Sequence, residues 1–110
     1  MAKSPRMQQI EAMLADDPSD SFLWYGLAME HSSQGDDAEA ARVLRELIAR
    51  TADAPYIPAF LQAGQMLARL GRELEAAGVL KQGIAAARTL GTADALHALG
   101  EMQGLLATLE

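Results

Sequence analysis

Cysteine is absent from the 110 residues, which excludes disulfides, thiolate metal sites and a cysteine nucleophile together. Aromatic residues make up only 5%, and strand signals are nearly missing, a balance that suits packed helices over β-structure. The longest apolar run, from Phe22 to Met29, is far shorter than the about 20 residues that a membrane-spanning helix needs. Positive charge is scarce as well: nine Lys and Arg stand against 15 Asp and Glu, for a net charge of -6. The first 40 residues hold the whole excess, with Lys3 and Arg6 as their only cations. An acidic chain repels phosphate, which argues against nucleic acid and against a polybasic membrane-surface mode. We read the acidic stretch as a solvated face and helix N-termini. The polar opening, Met1 to Arg6, leads into an amphipathic segment and has no apolar core of a secretory signal, so a soluble cytoplasmic protein is expected.

What the chain has in quantity is itself. Glu39-Ala40-Ala41, Val43-Leu44 and Ile48-Ala49 return thirty-six residues later as Glu75-Ala76-Ala77, Val79-Leu80 and Ile84-Ala85. A period of this size marks stacked helical units within one domain, residues 1-110. Start and stop signals then divide the chain into six helices. Met7, Ile10, Met13 and Leu14 form one stripe over residues 7-16, closed by Asp16-Asp17-Pro18. A first hairpin occupies 20-52, with caps among Ser19, Asp20 and Ser21, a stop at Gly35, Asp36 or Asp37 as the cap of its second helix, and Asp36-x-x-Glu39 spaced as a capping box. A second hairpin occupies 57-90, with Pro58 in its first turn and Gly71 at its bend. A final capping helix over 93-109 carries Ala95, Leu96, Leu99, Met102, Leu106 and Leu109 along one stripe. Its Gly100-x-x-x-Gly104 spacing is read as close helix packing in water, since Glu101 and Gln103 lie within it.

The recurring residues resemble those of the tetratricopeptide repeat family, and in particular its small stand-alone bacterial members. The first unit offers Trp24, Leu27-Ala28, Gly35, Ala40 and Leu44, and the second Phe60, Ala63-Gly64, Gly71, Ala76 and Leu80. The last helix keeps Leu96 and Leu99-Gly100, while Pro18 stands at the closing proline of an incomplete earlier unit. The period of 36 exceeds the family's usual 34 or so, and His31, Leu67 and Gln103 replace a recurrent tyrosine. The fold implied is an all-α stack of antiparallel helix hairpins, an α-solenoid. Small residues at Ala28, Gly64 and Gly100 are expected to admit a neighbouring helix, faced by Ala40 and Ala76, because bulk there would open the hairpin.

The resemblance also implies that the first helix of each hairpin lines a concave wall. Its columns would be Tyr25, Leu61 and His97, then Met29, Gln65 and Glu101, then Ser33, Arg69 and Leu105. Aromatic, thioether and polar side chains in such an array suit an extended peptide. The expected role is therefore a non-enzymatic interaction module, needing no cofactor or metal and binding an unknown protein or peptide. A carboxylate clamp of the chaperone-binding kind does not carry over, because Tyr25 and Met29, then Leu61 and Gln65, fill its lysine and asparagine places. Catalysis finds no constellation: His31 adjoins Ser32 and Ser33, yet neighbours on a helix do not face each other, and H-E-x-x-H, G-x-G-x-x-G and Walker-type loops are absent. Trp24 is read as core, and His31 as filling a packing position. The alternative reading is a homodimer through the C-terminal helix, driven by Leu105, Leu106 and Leu109.

Overall fold

The computed structural model describes residues 4–110, so Met1, Ala2 and Lys3 of the acidic third lie outside the described residues. Six helices follow one another, and no strand occurs among the described residues: α1 Pro5–Asp16, α2 Ser21–Ser33, α3 Asp37–Arg50, α4 Ile57–Arg69, α5 Glu73–Leu90 and α6 Ala93–Leu109. Each helix packs on the next, and α6 rests on both α5 and α4. The all-α stack of hairpins expected from the repeat is the architecture found.

Local chemistry sets the helix ends. Ser4 accepts a hydrogen bond from the Met7 amide at 3.0 Å, with Pro5 in the first turn, so α1 begins earlier than its apolar stripe implies. Asp20, Asp36 and Thr92 cap α2, α3 and α6 in the same way, each accepting from the amide three residues on. The capping box at α3 is half formed. Asp36 takes the Glu39 amide, but the Glu39 carboxylate turns to Arg42 instead of back to the cap. At the bends, Gly35 and Gly71 hold φ of 80° and 76°, a left-handed conformation that any Cβ would strain.

The core is a single cluster that runs from Met7 to Met102, and no polar or charged residue is buried in it. Its centre is made of Leu44, Leu47, Met66, Leu67 and Leu80, all fully shielded. Gly64 behaves as expected in one respect: a Cβ placed there would lie 2.5 Å from Leu80 Cδ2. The facing residue is Leu80, however, and not Ala76. Gly83, unremarked in the sequence, is tighter still, since its Cβ would fall 2.5 Å from Phe60 Cβ and 2.6 Å from Met102 Sδ. Gly100 and Gly104 depart from expectation, because a Cβ at either meets nothing within 4 Å. Their helix has no return helix on that side among the described residues, so the small side chains border solvent.

Candidate functional site

The leading helices of the hairpins, α2, α4 and α6, carry the residues expected on the inner wall. Helices α4 and α6 touch directly. Helix α2 reaches the start of α4 through Tyr25, whose ring centroid lies 5.6 Å from that of Tyr56 at a tilt of 52°. Gln62 of α4 is close enough to act on the Tyr25 hydroxyl. Burial pushes the Tyr25 hydroxyl above its ordinary pKa of 10.0; Tyr56 beside it adds to the rise, and Gln62 opposes it. Tyr56 is raised likewise, first by burial and then by Asp20. Both phenols therefore stay protonated well past neutrality and remain able to donate.

Along the wall the candidate residues differ in accessibility. Tyr25, Met29 and Gln65 are half-buried, and Tyr25 and Met29 pack against the core. Leu61 is buried, at 8% exposure, and so contributes backing more than contact area. Arg69 is exposed, but its guanidinium is engaged with Asp37 of the preceding hairpin at 3.1 and 3.2 Å. That contact, together with the Ser32 hydroxyl donating to Asp37 at 2.8 Å, holds the Asp37 carboxyl below its ordinary range. His97 and Glu101 lie one turn apart on α6, with His97 Nε2 3.3 Å from Glu101 Oε1 and both exposed. Of the third column, Ser33 is exposed and donates to the Glu30 carbonyl, while Leu105 is half-buried on the core.

Other expectations shift once packing is considered. Leu105, Leu106 and Leu109, named as outward drivers of pairing, are half-buried against the core. The apolar side chain of α6 that faces out is Leu96, at 50% exposure. Trp24 is only partly in the core: its indole Nε1 donates to the Pro18 carbonyl at 2.8 Å, and Arg50 lies 4.8 Å over its ring. Its repeat equivalent, Phe60, is buried. Phe60 packs closely on Gly83, whereas the matching position of the first hairpin is Leu47, which lines one hollow together with Trp24. His31 is half-buried and serves the bend, its carbonyl accepting from the amides of Gln34 and Asp36.

Two apolar hollows were not foreseen. One, of about 500 Å³, lies between α1 and α2 and is lined by Ile10, Met13, Phe22 and Leu23. Phe22 is 72% exposed and Met13 48%. Met13 belongs to the apolar stripe expected to be buried, and the direction of the neighbouring helix leaves it half exposed. The other hollow, of about 650 Å³, runs between Ala52–Pro55 and the end of α5. No group of three or more potential metal ligands occurs among the described residues, and no helix is long and apolar enough to cross a membrane.

No protein-family model matches the chain, and no curated protein matches it significantly. Solved structures do. A solution NMR structure of a tetratricopeptide repeat domain protein from Salinibacter ruber is 32% identical, with a TM-score of 0.73 over 86% of this chain and 90% of that one. A crystal structure of a tetratricopeptide repeat domain protein from the same organism is 30% identical, with a TM-score of 0.71 over 82% and 94%. With hairpins of matched small and large residues already established by the packing, this likeness in both sequence and coordinates places the chain in the tetratricopeptide repeat family.

Proposed function

We propose that the protein is a non-enzymatic interaction module that binds a segment of another protein along the wall formed by α2, α4 and α6. The observation that supports this most is the half-buried row of Tyr25, Met29 and Gln65, side chains with apolar bodies and polar or polarisable tips on rigid helices. Such groups can gain further burial at small entropic cost, because the core already restrains them. His97 and Glu101 would orient the ligand at one end of the row, and Arg69, already neutralised by Asp37, would contribute a planar donor surface at its edge.

The test is site-specific photo-crosslinking in cells of the source organism. A benzophenone side chain at position 29 or 65 should give adducts with a partner protein, while one at Gln82, exposed on return helix α5, should not. Adducts from position 82 alone, or from none of the three, would overturn this reading.

A further inference from the structure

Charge is distributed one-sidedly over the wall of α2, α4 and α6. Arg69 is the single Lys or Arg on these three helices, and Asp37 already neutralises it at 3.1 Å. Elsewhere among the described residues every Lys and Arg except Arg88 also pairs with a carboxylate, and Arg88 stands on the return helix α5. The acids of the wall are less fully answered. Glu30 has Arg6 at 3.6 Å. Asp20, Asp94 and Glu101 have no Lys or Arg partner among the described residues, and Glu101 has only the imidazole of His97 beside it.

These acids occupy two places. Asp20 and Tyr56 are equivalent in the thirty-six-residue repeat and precede α2 and α4 as N-caps. Asp20 is half-buried and close enough to act on the Tyr56 hydroxyl. Its Oδ1 accepts from the Leu23 amide at 3.2 Å, and Oδ2 takes no part in that cap. Beside it the half-buried rings of Tyr25 and Tyr56 lie 5.6 Å apart, and the faces of such rings attract cations and repel anions. At the other end, Asp94, His97 and Glu101 follow the spacing of one exposed stripe on α6. A carboxylate brought onto this wall would have to take Arg69 from Asp37 and leave Asp37 without its partner. An ammonium or guanidinium displaces nothing.

We infer that the protein segment bound along this wall is basic: one Lys or Arg of the partner enters beside the Tyr25 and Tyr56 rings with Asp20 as its counter-charge, and a second meets Asp94 and Glu101 on α6. This occupant presupposes the binding wall proposed above, whose neutral middle, Met29 and Gln65, meets the uncharged part of the same segment. The net charge of -6 draws such a segment in from a distance, so capture weakens as salt rises.

Random peptides displayed on phage and selected on the 110-residue protein test this. The enriched peptides should be rich in Lys and Arg and should crosslink to a benzophenone at position 29. Their affinity should fall about tenfold on the double variant Asp20→Asn with Glu101→Gln, which keeps a capping side chain at position 20 and should leave circular dichroism unchanged. Peptides that crosslink at position 29 but carry no excess of Lys and Arg, or that bind the double variant as tightly as wild type, overturn the basic occupant and leave the wall standing as a binding surface. Enriched peptides that do not crosslink at position 29, or no enrichment at all, overturn the wall and its occupant together.

Discussion

Glycine at position 83 and glycine at position 100 show how differently the same residue can act on two helices. A methyl group at Gly83 would press on Phe60 Cβ, an atom tied to the backbone, whereas one at Gly64 would meet the far end of Leu80. Gly83→Ala should therefore lower stability by about 1–3 kcal/mol, and by more than Gly64→Ala. Gly100→Ala enters open space and removes the conformational cost of a helical glycine, so it should raise stability by up to about 1 kcal/mol. Urea unfolding of the three variants checks the order, and a Gly83→Ala protein as stable as wild type would refute the packing at that site. None of this ranking follows from the residue type. It depends on which atoms lie within 4 Å, and those come from a helix twenty positions away.

At the scale of the element, termini and bridges carry the argument. Asp36 takes the Glu39 amide at 3.1 Å, so Asp36→Ala should cost about 1 kcal/mol, measurable in the midpoint of thermal unfolding. Helices α3 and α5 are joined by Glu75, which accepts from Arg72 at 2.6 and 2.7 Å and from Arg45 at 2.8 Å. The Arg72 contact first, and the Arg45 contact second, pull the Glu75 carboxyl from 4.5 to about 2. A carboxylate with a depressed folded-state pKa contributes stability that is complete above 4.5 and lost as the pH falls towards 2. Wild type should thus lose more stability across that window than Glu75→Gln, and the difference should shrink in high salt because the pair is exposed. Comparing acid titrations of the two proteins at low and high ionic strength measures both effects. The caps of α2 and α3, at Asp20 and Asp36, were legible in the sequence, because a cap acts on the amide three residues away. The partner of Arg45 was not, because it lies thirty positions along the chain.

For the whole molecule, contact between hairpins is as continuous as contact within them, since α3 packs on α4 as α2 packs on α3. Unfolding should accordingly be a single cooperative transition. Trp24, the only tryptophan, reports on the first hairpin through its bond to Pro18 and its contact with Arg50, while circular dichroism reports on all six helices. The two signals should therefore lose structure at the same urea concentration, and separated midpoints would show that the hairpins unfold independently. The same continuity ties one unit to the next at α2, where the Tyr25 ring lies against that of Tyr56.

The number of helices, the places where they stop, the repeat and the family were all written in the order of the amino acids, because helix phase, caps and bends arise from interactions within about four residues. Tertiary structure alone decided which apolar side chains are covered. Phe60 and Leu96 hold equivalent places in the repeat, yet one is buried and the other is half exposed, since only the first has a return helix packed on it. Trp24 and Phe60 also diverge: Phe60 packs closely on Gly83, and the position matching Gly83 in the first hairpin is Leu47. Coverage is set by a neighbour that is distant in the chain, and a local pattern carries no record of whether that neighbour is there.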